Sequence, residues 1–343
     1  MSRSPSSKAH WIATVDVGED RAVNAIDELF ERASERTPLV ADDGKSGVPM
    51  ERVVIDGQRF VAKHMEIGGD WLARATGDFG LRQIHLWEAG VYQRVPACID
   101  PVVVGAAREG RRGVLLMHDV GEHLVPEGDD PIPLEQHLRF LDHLAALHAA
   151  FWEWDEDFGL ATDGLRFTMF GPDVVRVEAG IGDSVIPPLI GKGHDLLRAS
   201  NTHGAAITLA LLDDPGPLLV ALARTPRTFL HGDTKMGNLG SHPDGRTIAI
   251  DWAYAGPGEA TSEITWYLAI NSARLPQSKE ATIVAYRAAL ERQGIDTEPW
   301  WDAQLALALL GAFVQFGWEK ALGGGDELAW WEARAVEAER YLV

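Results

Sequence analysis

The sequence predicts an α+β protein of two lobes, a small antiparallel β lobe at the N-terminal end and a larger, mainly helical lobe after it. Three observations predict it. The chain has 343 residues, more than one compact core usually organises. Before Met117 the apolar residues fall in short β-rich runs. Beyond Pro133 they recur at helical spacing almost to the end, and no internal repeat interrupts the division.

Residues 1–10 are polar and Ser-rich and read as a frayed end. Glu19 to Arg36 carries Ala22, Ile26, Leu29, Phe30 and Ala33 at spacings that predict one apolar helical face. After Pro38 to Val40 and the polar stretch DDGKSG come two β-rich runs, Arg52 to Ile55 and Arg59 to Ala62. Asp56-Gly57 joins them, the strongest short signal for a hairpin. Leu81, Ile84, His85, Glu88, Val91 and Tyr92 predict a helix over Leu81 to Val95 that Pro96 closes. Val102 to Gly105 and Gly113 to Met117 read as strands. His118 to Pro133, rich in Gly, Pro and Asp, reads as the hinge. Beyond it Leu134, Leu138, Leu141, Leu144, Ala145, His148 and Phe151 make an apolar stripe, and helices follow at roughly 190–224, 260–272, 278–293, 300–321 and 327–342. Between 224 and 260 lies a β-rich insert: Thr228 to Leu230, then HGDTKMGNLG, then Thr247 to Ile250.

Hydrophobic residues make up 46% and charged residues 24%, as in an ordinary folded protein. A formal net charge of -20 argues against nucleic-acid or anionic-membrane partners, which repel such a surface. The same acidity keeps a protein in solution or draws a cationic substrate, and net charge does not choose between these. Cys98 is the sole cysteine, so internal disulfides and CxxC zinc sites are excluded, and it reads as a small core residue. No uninterrupted apolar run reaches about 18 residues, and the N-terminal segment lacks the apolar stretch of a signal peptide. The expectation is a cytoplasmic protein, with Leu305 to Trp318 a buried helix.

The informative stretch is Phe229-Leu230-His231-Gly232-Asp233-Thr234-Lys235-Met236-Gly237-Asn238, followed by Ile248-Ala249-Ile250-Asp251-Trp252. Two carboxylates and a carboxamide sit around a loop between short strands. Phosphoryl transfer to an alcohol needs a carboxylate near the hydroxyl and oxygen ligands that hold magnesium against nucleotide phosphates. Asp233 fits the base, and Asn238 and Asp251 fit the metal ligands. The bland alternative is a polar turn capped by Asp233 and Asn238.

HGDTKMGN followed by IDW resembles the aminoglycoside phosphotransferase and choline kinase-like family, whose fold is akin to protein kinases. The resemblance runs from about Leu39 to Trp266, and it implies a bilobal protein kinase-like fold, ATP and Mg2+ as cofactors, and a small-molecule hydroxyl as acceptor. It divides the chain into a nucleotide-binding lobe (1–117), a hinge (118–133) and a helical catalytic and substrate lobe (134–343). Phe60-Val61-Ala62-Lys63 is similar to the strand carrying the family's phosphate-binding lysine. The partner acid is expected from the next helix, with Glu88 best placed and Glu66 and Glu109 the alternatives. Asp42 to Gly47 stands where a phosphate-covering loop is expected, with Ser46 and Gly47 at its end, although no GxGxxG is present. Val114 to Gly121 resembles the strand entering the hinge, where backbone groups around Met117 and Asp119 hold adenine.

The resemblance also places Lys235 on the transferred phosphate, makes His231 an orienting residue, and sets Glu263 where an Asp commonly braces the loop. His148 reads as a packed helix residue. ATP or GTP is decided by hinge geometry that the sequence does not reveal. For the acceptor, Trp266, Trp300, Trp301, Trp318, Trp330 and Trp331 accompany Glu259, Glu263, Glu319, Asp326 and Glu327, a mixture suited to a ring and an ammonium group. Glu259, Glu263, Trp266 and Glu319 are the candidate contacts. An amino sugar is the first expectation, an aminoglycoside antibiotic the second and choline the third. A nucleotide-binding scaffold without chemistry and a protein kinase are the competing readings, the second opposed by the missing glycine-rich motif and APE-like segment.

Overall fold

The computed structural model describes residues 25–39, 47–156 and 158–342. Five antiparallel strands form the N-terminal sheet: β1 (Ala33–Leu39), β2 (Met50–Ile55), β3 (Gln58–Glu66), β5 (Val103–Glu109) and β6 (Arg112–His118), in spatial order β1-β2-β3-β6-β5. Asp56 and Gly57 turn β2 into β3 with φ of 51° and 77°, the left-handed pair that a two-residue hairpin requires. Two helices, α1 (Trp71–Ala75) and α2 (Arg82–Glu88), and the short strand β4 (Ile99–Asp100) complete this part.

Because side chains alternate along a strand, β3 serves two cores. Phe60 and Ala62 pack with Val53, Val114, Leu116 and the 3-10 turn at Ile26–Phe30. Val61 and Met65 point to the other face, with Ile84, Leu115, Met117 and Ile248 from the larger lobe. Lys63 lies between them in the strand, so alternation directs it toward that second face, where the two lobes meet.

The helical lobe comprises α3 (Leu134–Ala150), α4 (Asp163–Thr168), α5 (Pro172–Ile181), α6 (Ile186–Ser200), α7 (His203–Asp213), α8 (Gly216–Leu222), α9 (Ala260–Ile270), α10 (Lys279–Arg292), α11 (Trp301–Gly323) and α12 (Gly325–Ala338). Four short strands carry the site: β7 (Thr228–Leu230), β8 (Leu239–Ser241), β9 (Thr247–Ala249) and β10 (Gly256–Gly258). The long helix α11 is buried from Leu307 to Gly317, and α4, α6, α7, α8, α9 and α12 all pack on it. It is the one described helix long and apolar enough to cross a membrane, and 67% of that stretch is covered by protein, as in a core helix.

Further features tie the lobes together besides the chain and this shared face. Strand β4 pairs in parallel with β9, Ile99 opposite Thr247. Helix α1 leaves the small lobe and docks on the large one: Trp71 is 4% exposed and 6.2 Å from Phe170, and Arg74 Nη2 lies 2.7 Å from Glu178 Oε2. Residues 118–133 are themselves anchored, since Val125 N–H donates to Leu239 O and Ile132 N–H to Arg274 O.

Three sequence expectations are corrected. The helix expected over Glu19 to Arg36 is, in its described part, a 3-10 turn and then β1, because the edge of the sheet captures residues 33–39 and only Leu29 and Phe30 are buried. The helix expected over Leu81 to Val95 stops at Glu88. Leu134 and Leu138 are exposed at 48% and 37%, since α3 buries His137, Phe140, Leu141, Leu144 and Leu147 instead.

Buried histidines set the acid stability of this lobe. Burial holds His137 and His194 down at about 4, below the ordinary 6.5. Below about pH 6.5 the unfolded chain therefore binds more protons than the folded one, so stability is full above that pH and falls toward pH 4. Each histidine contributes a slope of about 1.4 kcal/mol per pH unit. Melting temperature measured from about pH 7.5 to about pH 4.5 should drop, and a His137→Gln, His194→Gln double variant should flatten the decline.

Candidate active site

The loop after β7 is built from backbone constraints outward. Gly232 has φ of +83°, and a Cβ there would sit 2.2 Å from Tyr254 O, so both conformation and space demand glycine. Its N–H donates to both Glu263 oxygens at 3.1 Å. Burial would raise the Glu263 carboxyl, but neighbouring His148 and His231 and the Gly232 amide outweigh it and hold the group below its ordinary value. Gly232→Ala should destabilise the fold by at least about 2 kcal/mol. A lower midpoint in urea with unchanged slope is the measurement.

His231 orients the turn from within. Its Nδ1 accepts from the Asp233 N–H at 3.2 Å, and its Nε2 lies 3.0 Å from Ile250 O. One nitrogen accepts and the other donates, so the ring is neutral, in keeping with burial lowering its pKa. Trp252 packs beside it at a tilt of 55°, ring centroids 4.4 Å apart, and donates from Nε1 to Ala249 O.

Asp233 Oδ2 accepts from Asn238 Nδ2 at 2.9 Å. Burial pushes its carboxyl up to about 7, the charge of Asp251 adding to the effect and Lys235 and Asn238 opposing it. Asn238 O in turn accepts from Ile250 N–H at 2.9 Å, which ties this loop to the end of β9. One residue on, Asp251 adopts φ of 61°, a left-handed conformation that turns its carboxylate back toward the sheet. Lys63 Nζ meets Asp251 Oδ1 at 2.7 Å, and Gln83 Nε2 approaches the same oxygen at 3.5 Å. Burial acts to raise the Asp251 carboxyl, yet the charges of Lys63 and Lys235 and the Lys63 hydrogen bond prevail and hold it below its ordinary value. A continuous line of contacts thus runs from Asp233 through Asn238 and Ile250 to Asp251 and Lys63.

The oxygens of Asn238 and Asp251 suit a hard divalent cation, since the Asn238 amide nitrogen is committed to Asp233 and its carbonyl oxygen is left for a ligand. Among the described residues no group of three or more His, Cys, Asp or Glu side chains forms a metal cluster. Two protein oxygens sharing a magnesium ion with phosphates and water is a different arrangement, and the donor set fits it.

The other expected residues fall as follows. Ser46 lies outside the described residues. Gly47, with φ of +72°, has open space around it three residues before Met50, which pairs with Lys63. Met117 is buried in β6 beside Val61. Asp119 donates its N–H to Arg59 O and receives Arg52 at 3.5 Å. Lys235 is half-buried, with its charge felt at both Asp233 and Asp251.

Glu88 is corrected: it is exposed at the last residue of α2, whereas Gln83 faces the Lys63–Asp251 pair. Five residues on a helix are about 140° apart, so turning Gln83 inward turns Glu88 out. Three acceptor contacts are corrected too. Glu259 is 1% exposed, 3.7 Å from Arg227, with burial and then Asp163 raising its pKa. Glu263 is spent on Gly232, and Trp266 is a core residue packed on Phe316 at 4.8 Å. Glu319 remains half-exposed, paired with Lys320 at 2.7 Å.

Besides Gln83, sequence reasoning missed Asn271 and Arg166. Asn271 clamps the loop from the end of α9: Oδ1 accepts from Met236 N–H at 2.8 Å, and Nδ2 donates to Thr234 O at 3.1 Å. Arg166, 4% exposed, donates to Tyr254 O and Pro257 O and fixes the segment after Asp251. An isolated polar residue in a helix gives no sequence signal of such a role.

Among solved structures the chain is similar to the microcompartment-associated aminopropanol kinase, at 14% identity over 92% of this chain and 96% of that one, with a TM-score of 0.51. It is similar also to the choline kinase LicA from Streptococcus pneumoniae, at 14% over 91% and 96%, TM-score 0.46. A thermostable mutant of aminoglycoside phosphotransferase APH(4)-Ia, in ternary complex with ADP and hygromycin B, aligns at 13% over 92% and 96%, TM-score 0.48. At 14% identity the likeness to the aminopropanol kinase speaks for the fold alone, in keeping with the bilobal protein kinase-like arrangement described above. No curated protein matches the chain. The family model described as the phosphotransferase enzyme family spans residues 51–303, nearly three quarters of the sequence and every contact from Lys63 to Asp251, and the chain belongs to that family.

Proposed function

We propose that this protein is a kinase that moves the γ-phosphate of ATP, with Mg2+, to a hydroxyl of a small molecule. The observation that carries the reading is the line of contacts from Asp233 to Lys63. Asp233 accepts the proton of the acceptor hydroxyl, and a carboxyl poised near neutrality both takes a proton and releases it. Asn238 and Asp251 hold the magnesium, which when bound offsets the charge on the phosphates. Lys63 holds phosphate oxygens from the sheet side, and Lys235 supplies positive charge beside the base. Glu263 and Asn271 act through the backbone, keeping the loop in register. We assign residues 1–117 to the nucleotide-binding lobe, 118–133 to the hinge with Met117 and Asp119 at its entrance, and 134–343 to the catalytic and acceptor lobe, with Ser46 and Gly47 closing over the phosphates.

For the acceptor we take an amino sugar or related cationic alcohol, ahead of an aminoglycoside or choline. The support is the pair Trp318 and Glu319, which remain partly exposed in the helical lobe and offer a ring and a carboxylate. A coupled ATPase screen over amino sugars, neutral sugars, aminoglycosides, choline and hydroxy amino acids, with mass spectrometry of the product, tests both levels. Magnesium-dependent ADP release with an amino-bearing alcohol is expected. Preference for an anionic acceptor, or indifference to loss of the amine, overturns the acceptor class. ATP binding with no acceptor phosphorylated overturns the enzymatic reading.

A further inference from the structure

We infer that Gln83 is a positioning residue for Lys63, accepting a hydrogen bond from its ammonium once Asp251 is committed to a metal ion. The inference rests on the nucleotide reading above and deepens it. Lys63 and Gln83 address one atom, Asp251 Oδ1, at 2.7 and 3.5 Å. Gln83 is 3% exposed on the inward face of α2, and its amide nitrogen has one other neighbour, the Met65 sulfur at 3.7 Å. Its Oε1 is buried and has no hydrogen-bond partner among the described residues. Buried amide oxygens are nearly always satisfied, so an orphan on a side chain that shares Asp251 Oδ1 with a lysine points to a contact formed in another state of the site.

The chemistry of the amide explains why this residue type suits the place. The ammonium of Lys63 has three donors, and Asp251 supplies its acceptor in the described structure. When a cation claims that carboxylate, the buried lysine needs other oxygens, of which a phosphate is one and Gln83 Oε1 the other. A carboxamide donates to a carboxylate from its nitrogen while accepting from an ammonium at its oxygen. An ionised Glu accepts but does not donate, and it adds a second negative charge next to Asp251. A Met fills the volume and does neither.

Two substitutions separate this role from packing. If Gln83 were merely packed, Gln83→Met would be tolerated better than Gln83→Glu, because an added buried carboxylate is the harsher change. The inference demands the reverse order for phosphate binding. Affinity for AMP-PNP with Mg2+, measured by titration calorimetry, should fall about 10- to 100-fold in Gln83→Met, the weight of a hydrogen bond to a charged group. Gln83→Glu, which restores an acceptor for Lys63, should stay within about threefold of the parent protein. Adenosine, which has no phosphate, should bind all three alike, and that arm reports whether the variants remain folded. Unchanged AMP-PNP affinity in Gln83→Met, or weaker binding in Gln83→Glu than in Gln83→Met, overturns the inference alone. Failure of the parent protein to bind AMP-PNP with Mg2+ overturns the nucleotide reading and the inference with it.

Discussion

Asp233→Asn should lower kcat by about 10²- to 10⁴-fold, the usual worth of a positioned general base, while the melting temperature holds or rises. The two halves of this result come from one fact. Burial makes the Asp233 carboxylate costly, as its pKa of about 7 records, so a neutral isostere removes a burden on the fold as it removes the base. The Asn oxygen still accepts from Asn238, and the backbone bonds from Glu263, His231 and Asn271 do not involve the substituted atoms. Single-turnover kinetics beside a thermal melt measure both. Near-normal turnover would show that the base lies elsewhere, and a collapsed melt would show that Asp233 is structural.

The second large effect concerns Lys63 and Asp251. On the proposed function, each of Lys63→Met and Asp251→Asn should cut kcat/KM for ATP by about 10³-fold, through loss of the proposed phosphate and metal contacts respectively. Their stabilities should differ in a defined order. Asp251→Asn strands a lysine whose side chain is 11% exposed, whereas Lys63→Met strands a carboxylate that is 35% exposed and reaches water. The first should therefore cost more, on the order of 2–3 kcal/mol against about 1. Asn tolerates the left-handed conformation of position 251, so the backbone is not the cause. The double variant should be more stable than Asp251→Asn alone. Urea titrations of all four proteins make the cycle.

The placement of the candidate residues was more legible in the sequence than the contacts that support them. Asp233, Asn238 and Asp251 lie within a stretch of 19 residues, and the strands that carry them are short and apolar, so order along the chain is nearly order in space. The Asp56-Gly57 hairpin was legible for the same reason, because the turn is local. Gln83 was not read at all, since the resemblance called for an acid, and Glu88, which shares the spacing of Ile84, falls at the exposed last residue of a shorter helix than periodicity suggested. Glu259, Glu263 and Trp266 failed as acceptor contacts because α9 is buried almost all round, and composition does not say which face meets the cleft. Strand β10, Gly256-Pro257-Gly258, reads as a turn on propensity and exists through its pairing with β7.

Helix α1 changes how the whole molecule yields. A kinase whose lobes met only at a hinge would behave as two cooperative units, able to melt or breathe apart in sequence. Here a tryptophan belonging to the small lobe's chain is seated in the large lobe's core, and an arginine beside it grips Glu178. Neither lobe sheds its partner without opening its own interior, and a single calorimetric transition is the expected outcome. Parting the lobes therefore means exposing Trp71 and breaking the Arg74–Glu178 pair as well as bending the hinge.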